Sequence, residues 1–349
     1  MIVSRLRAAA IAGLICAFLG GCAAAPSSGL SGRQTASLLP QSYSHTSWST
    51  IINFHRRTKT VPSRSFPAVK SWMAPATAVK SLLYVSDPVE NVVNVYDESA
   101  TNQAPIGQIG GLSEPQAMWV DPHANLWVAN TTAFTVLAYH RGSIFSYKTL
   151  SDPNGYPAGV CGDNATGTIY ATDIQSSSGG NGTTIDVYAG GATTPTSVLD
   201  EPNSLSLYFC AVDAKSNLFV SYVNASTSLG EVDEFPKGQT TPIAIVSNLT
   251  CPGGVALDRY NALVVDDPCG QAMYIYDPPY TNGSYYSFTY SGAIQQIALD
   301  RSETNLWGAD QTNDTAQEFS YPHGVFRNET SSSELTLPTG AEVSPPGRP

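Results

Sequence analysis

The chain has 349 residues, 42% hydrophobic and 13% charged, and its 28 acids against 17 Lys and Arg leave a net charge of −11. Such an acidic balance excludes nucleic acid as a partner, because that binding needs a basic patch to displace counterions. No Cys or His spacing of the zinc type occurs, which excludes a structural zinc module.

At the N-terminus, Arg5 and Arg7 precede an apolar run from Ala8 to Phe18, too short to span a bilayer comfortably, and Leu19-Gly20-Gly21-Cys22 follows. This resembles the bacterial lipobox, which implies a signal peptide over residues 1–21, lipid attachment at Cys22 and membrane association through that anchor alone. The other reading is an ordinary signal peptide cut after Ala24 or Ala25. Ala23 stands after the cysteine where Asp would direct retention, so the resemblance implies the outer membrane of the envelope, facing the periplasm or the cell surface.

Residues 22–80 read as a flexible basic tether. They hold Arg33, Arg56, Arg57, Lys59, Arg64, Lys70 and Lys80, whereas every acid lies at or after Asp87. An acidic globe thus hangs from a basic, Ser- and Pro-rich segment. Attraction to an anionic lipid surface is worth at best about 1 kcal/mol per basic side chain and is weakened by salt. A plain solvated linker accounts for the same composition.

From residue 81 to 345 the sequence repeats itself with a period of about 45 residues, the mark of a solenoid or propeller. One unit begins with a Pro-led strand ending at an acid, Ala117-Met118-Trp119-Val120-Asp121. It turns through Pro122 to Asn125 into Leu126-Trp127-Val128-Ala129-Asn130, and continues with strands at Thr135 to Tyr139 and near Ser146 to Leu150. The second-strand phrase returns at Tyr84, Tyr170, Phe219, Leu263 and Trp307, giving six units of four short strands separated by Gly, Pro, Asn and Asp turns. The first unit, near Leu82, lacks the Pro-led strand. Leu337-Pro338-Thr339-Gly340-Ala341-Glu342-Val343-Ser344 supplies that phrase at the other end of the chain. The reading is an all-β, six-bladed β-propeller closed by the C-terminal strand completing blade 1, with residues 346–349 a disordered tail.

These phrases, over Leu82 to Pro345, resemble the six-bladed NHL and SMP-30 type propellers, and more closely bacterial lipoproteins built from such repeats. The fold hosts enzymes, carriers and scaffolds, so activity has to be argued from a site.

Four cysteines remain beyond Cys16 and Cys22, and they permit three pairings. Cys251 opens the first strand of blade 5 and Cys269 follows its second, so a hairpin turning near Arg259 to Asn261 sets them opposite each other. Cys161 and Cys210 fall on the innermost strands of neighbouring blades. Both bridges suit an oxidising envelope.

Two rings of positions border the channel mouth. Asp87, Asn130, Asp173, Tyr222, Asp266 and Asp310 end the second strands. There they either bind a cation such as calcium or a polar ligand, or each caps its own loop. Just after the Pro position stand Gln116, Ala158, Tyr208, Gly253, Gln295 and Thr339. The SMP-30 lactonases imply a central divalent metal held by carboxylates and an asparagine at comparable positions, but here those positions are amide, small or aromatic. A virginiamycin-lyase-like role requires a catalytic histidine; His45 and His55 lie in the tether, and His123, His140 and His323 fall outside both rings. No catalytic residue and no cofactor is therefore assigned, a divalent cation such as calcium being the one candidate. The insertions Ile174 to Gly182 and Asn224 to Leu229 lengthen two adjacent loops at the mouth. The expected function is a tethered binding or scaffold module for an envelope protein or polysaccharide. The alternative is a metal-dependent hydrolase or lyase of the SMP-30 kind.

Overall fold

Runs such as Leu82-Leu83-Tyr84-Val85 and Leu263-Val264-Val265 are apolar at consecutive positions, which requires a sheet buried on both faces. The computed structural model describes residues 70–280 and 285–345, all within the unit Arg33–Pro349. The signal segment 1–21, Cys22, the tether up to residue 69 and the tail 346–349 lie outside the described residues.

The strands are β1 (Trp72–Met73), β2 (Leu82–Asp87), β3 (Val92–Asp97) and β4 (Gly107–Ile109) in blade 1. Blade 2 holds β5 (Pro115–Val120), β6 (Leu126–Asn130), β7 (Thr135–Tyr139) and β8 (Ser146–Ser151). In blade 3 are β9 (Gly155–Gly162), β10 (Ile169–Ser176), β11 (Thr184–Tyr188) and β12 (Ser197–Asp200), and in blade 4 β13 (Ser204–Val212), β14 (Leu218–Asn224), β15 (Gly230–Phe235) and β16 (Ile243–Leu249). Blade 5 has β17 (Val255–Leu257), β18 (Leu263–Asp267), β19 (Ala272–Tyr276) and β20 (Tyr285–Thr289), and blade 6 has β21 (Ile294–Leu299), β22 (Asn305–Asp310), β23 (Thr315–Ser320) and β24 (Phe326–Glu329). The last strand, β25 (Gly340–Ser344), returns to blade 1. All pairings are antiparallel, and the six sheets form the ring of a β-propeller. No described helix is long and apolar enough to cross a membrane.

Two-residue periodicity explains the packing between blades. Leu82 and Tyr84 face blade 2, meeting Met118, Leu126, Val128 and Tyr139. Leu83 and Val85, the alternate residues of the same strand, face blade 6 and meet Ala298, Trp307 and Ala309. Blades 2 and 3 meet through Trp127, Ala129, Val160 and Ala171, so Trp127 and Trp307 are inter-blade packing and no exposed platform.

Ring closure is a five-residue ladder in which β25 pairs with β2 from Leu82↔Ser344 to Ser86↔Gly340. Thr339 N donates to Ser86 O at 3.0 Å and Gly340 N to Ser86 Oγ at 2.7 Å. Arg141, on the turn after β7, donates to Pro345 O and to Thr77 O and Lys80 O, holding both ends of the described chain. One addition was not legible in the repeats: β1 pairs with β4, making blade 1 five-stranded. The acids that end the first strands form turns, as Asp213 does in accepting from Lys215 N and Asn217 N at 2.8 Å each.

Candidate functional site

At the end of the second strand, four blades share one device. Asp87, Asn130, Asp267 and Asp310 each pair with the residue five positions on, at Val92, Thr135, Ala272 and Thr315. Each then accepts N–H groups from the segment that enters the innermost strand of its blade. Asp87 takes Thr336 and Leu337 on one oxygen, and Val89 and Glu90 on the other. Asp267 takes Thr250, Cys251 and Gly270; Asp310 takes Ala293 and Thr312; Asn130 takes Ser113. An anionic acceptor that satisfies several buried N–H groups is a clamp, holding the inner strand against its own blade. In blade 5 the strand register gives this position to Asp267, one residue beyond Asp266. Asp266 faces the opposite side, accepts from Tyr290 OH at 2.7 Å, and has its carboxyl pushed well up by burial.

The inner ring is equally buried: Gln116, Ala158, Tyr208, Gln295 and Thr339 are all 6% exposed or less. Its members join neighbouring blades through their backbones. Ser86 Oγ donates to Gln116 O, Thr172 Oγ1 to Tyr208 O, Gly254 N to Gln295 O and Gln296 N to Thr339 O. Gln296 also bonds both backbone groups of Met118, reaching from blade 6 to blade 2 past β25. Further along β25 stands Glu342, a carboxylate outside that ring, partly buried and bonded by Val343 N and Val120 N.

Blades 3 and 4, which carry the two insertions, depart from this pattern. Asp173 accepts no backbone N–H; Thr184 Oγ1 donates to its Oδ2 at 2.6 Å, and its Oδ1 has no hydrogen-bond partner. The segment entering β9 brings Asp152, and β11 brings Asp186, so that one carboxylate oxygen of each of Asp152, Asp173 and Asp186 lies within 4.8 Å of the others. Burial raises all three carboxyls; repulsion by Asp186 adds to it at Asp152, and repulsion by Asp152 at Asp173. In blade 4, Tyr222 occupies the place of Asp173 and donates to Glu231 Oε2, while Glu201 and Asp233 take the places of Asp152 and Asp186. The loops above are exposed at Ser177 to Asn181 and at Ala225 to Ser228, and Gly182 bonds to Leu205 and Ser204 of blade 4.

The sequence-predicted ring is therefore not one convergent site. Asp87, Asn130 and Asp310 are spent locally, Asp266 accepts from Tyr290, Tyr222 lies against Glu231 and Asp233, and Asp173 joins Asp152 and Asp186. Asp152 and Asp186 escaped the sequence reading. Their signal was an acid in the middle of an apolar strand, Thr-Ile-Asp-Val-Tyr, where blades 2 and 5 have Leu137 and Tyr274. His123, His140 and His323 are exposed, and His140 stacks on Tyr147 with ring centroids 4.1 Å apart. Both cysteine bridges are present, Cys161–Cys210 and Cys251–Cys269, with Cα separations of 5.7 and 5.4 Å.

Buried acids make stability depend on pH. Burial, with repulsion from Asp300, pushes the Glu98 carboxyl up to about 7, and burial pushes that of Glu342 up to about 8. Burial, then their mutual repulsion, raises Glu201; burial also raises Asp233. At Asp97 and Asp163 burial is outweighed by hydrogen bonds, from Lys80 and Ser99 in one and from Thr166 and Ala165 in the other, and both carboxyls fall. For the raised group the folded state keeps protons that the unfolded chain has already released. Their stabilisation is thus complete below about pH 4.5 and is lost as pH rises through about 7 to 8. Melting followed by calorimetry should give a Tm about 5 °C higher at pH 5.5 than at pH 8.5, with a smaller difference in Glu342→Gln. A Tm that rises over this range would contradict the assignment.

No protein-family model matches the chain, nor does any curated protein. The fold defines the class, a six-bladed β-propeller, and solved structures share it. A chain of a nidogen/laminin complex aligns with a TM-score of 0.64 at 13% identity, over 77% of this chain and 100% of that one. A functionally unknown protein from Desulfotomaculum acetoxidans DSM 771 gives 0.56 at 10% identity, over 76% and 100%. A streptogramin B lyase gives 0.54 at 13% identity, over 80% and 89%. At such identities the likeness is one of fold alone.

Proposed function

We propose that the protein is an envelope-anchored lipoprotein, attached through Cys22, whose propeller is a binding scaffold for a protein or polysaccharide of the envelope. The observation that carries this reading is the joint departure of blades 3 and 4. The clamp is lost in the same two blades whose loops are long and exposed, and Gly182 ties those loops' bases together. Variation confined to one sector of a rigid repeat is how a scaffold acquires specificity. The alternative, a metal-dependent hydrolase or lyase, needs carboxylates that converge on the axis. Asp87, Asp267 and Asp310 instead accept backbone N–H bonds.

A photo-crosslinking residue in place of Ser178, in cells making the full chain, should capture a discrete protein or glycan adduct. The same residue at Lys215, exposed on the turn that ends the first strand of blade 4, should not. Equal capture at both positions, or none at either, counts against the binding face. Cys22→Ala should abolish fatty-acid labelling and release the protein into the soluble fraction; retention in the membrane would refute the anchor.

A further inference from the structure

Three carboxylates sit together at the root of the blade 3 loop, and nothing in the propeller's repeat requires them there. Asp152 is 1% exposed, and Asp173 and Asp186 are 0% exposed. In each, one oxygen is held by a local donor: Gly155 N to Asp152 Oδ1, Thr184 Oγ1 to Asp173 Oδ2, and Asn154 Nδ2 to Asp186 Oδ1. The other oxygen of each, Asp152 Oδ2, Asp173 Oδ1 and Asp186 Oδ2, is buried with no hydrogen-bond partner. Among the described residues, no Lys or Arg forms an ion pair with any of the three.

Three bare buried carboxylate oxygens are not a stable arrangement. A buried polar group without a partner costs free energy, and a buried charge costs far more. Protons shared among the three, with one acid donating to the next, relieve part of the charge but leave a residual negative charge with no counter-ion from Lys or Arg. One divalent cation bound through an oxygen of each residue neutralises all three carboxylates together. Donors fixing one oxygen while leaving the other free is also how protein groups orient the carboxylates of a metal site. Oxygen-only ligands favour a hard ion. Oxygens within 4.8 Å of one another fit a coordination sphere of radius about 2.3–2.6 Å, that of calcium, with water or backbone oxygen completing its six to eight ligands.

We propose that Asp152, Asp173 and Asp186 form a calcium-type divalent-cation site that fixes the Ser- and Gly-rich loop of blade 3. The ligands come from three places: the segment before β9, the second half of β10 and the middle of β11. An ion there joins both stems of the loop to the strand entry beneath it. That entry already touches the loop, since Ser177 N donates to Asn154 O at 2.8 Å. Blade 4 supplies an internal control. With Tyr222 in place of the third carboxylate, its Glu201 and Asp233 are expected to bind no ion.

The test uses the full-length protein in detergent, stripped with EDTA and then titrated with calcium chloride alone. Expected are one Ca²⁺ per chain by elemental analysis, a Tm raised by about 5 °C or more, and cleavage within residues 176–182 by a broad-specificity protease slowed about tenfold. Asp173→Asn and Asp186→Asn should remove all three effects, and Glu201→Gln should keep them. Tb³⁺ provides a readout on the unmodified chain, because Tyr188, whose hydroxyl bonds to Ser151 O beside Asp152, can sensitise its emission. Calcium should displace that emission. Absence of any bound Ca²⁺ or Tb³⁺, or a calcium response that survives both Asp→Asn variants, overturns the site. Bound ion with unchanged cleavage overturns its role in the loop. The outcome is separable from the crosslinking result, since an ion can be present without an adduct and an adduct without an ion.

Discussion

A chain ending at Ser333 is expected to lose cooperative folding. Truncation there removes β25 and with it the ladder to β2, the two N–H groups that Asp87 clamps, and the Pro345 carbonyl held by Arg141. It also removes Leu335, Leu337, Ala341 and Val343, all buried between the blades. Burial of each large aliphatic side chain is worth about 1.5–3 kcal/mol. The loss leaves β2, apolar and six residues long, as an open edge with unpaired backbone groups. Together these terms rival the roughly 5–15 kcal/mol that separates a folded domain from its unfolded state. Calorimetry should show no cooperative transition, or one lowered by at least about 15 °C. Asp87→Ala should act in the same direction but less strongly, by about 3 kcal/mol, because four N–H groups lose their acceptor while the strand remains. A truncated chain that melts cooperatively at an unchanged temperature would show that closure lies elsewhere.

Closure was legible because the missing phrase of the first repeat reappears at Leu337 to Ser344; a ring is the arrangement that makes an absence at one end and a surplus at the other a single fact. The clamp was half legible. Asp87, Asn130 and Asp310 end their strands unambiguously, but Leu263-Val264-Val265-Asp266-Asp267 offers two acids in succession. Shifting the register by one residue exchanges the faces of a strand, and local sequence holds nothing to decide between them. Pairing with Ala272 decides it. Trp72–Met73 is too short for any periodicity to mark as a strand.

The carboxylate group of blade 3 was not legible as a group. Its members are separated in sequence by a turn, a strand and an insertion, and they meet only because β9, β10 and β11 are neighbours in one sheet. What sequence did offer was an anomaly in blade 3, an acid inside the otherwise uncharged strand Thr-Ile-Asp-Val-Tyr, with Asp233 at the same place in the more acidic strand of blade 4. An alignment of second-strand ends passes over it, since Asp186 and Asp233 lie on third strands.

Breaking the Cys161–Cys210 bridge is expected to cost more than breaking any other single link in blades 3 and 4. The bridge joins β9 to β13, the innermost strands of the two blades that lack the clamp, over a separation of 49 residues. In those blades a covalent bond ties the two inner strands to each other, whereas Asp87, Asp267 and Asp310 tie theirs to their own blades. Loop entropy for that separation gives about 4 kcal/mol, against about 3 kcal/mol for the 18-residue separation of Cys251–Cys269. Cys161 is 3% exposed among Ile185, Leu207 and Val220, so alanine is the better replacement; a serine would add a buried hydroxyl without a partner. Cys161→Ala with Cys210→Ala should lower Tm by about 10 °C and speed proteolysis at Ser177 to Asn181. The Cys251→Ala and Cys269→Ala pair should lower Tm somewhat less and leave that loop's cleavage unchanged. The two losses should add, because the loops they close do not overlap. Equal loop cleavage in the two variants would mean that the bridge between blades 3 and 4 does not support the face those blades present.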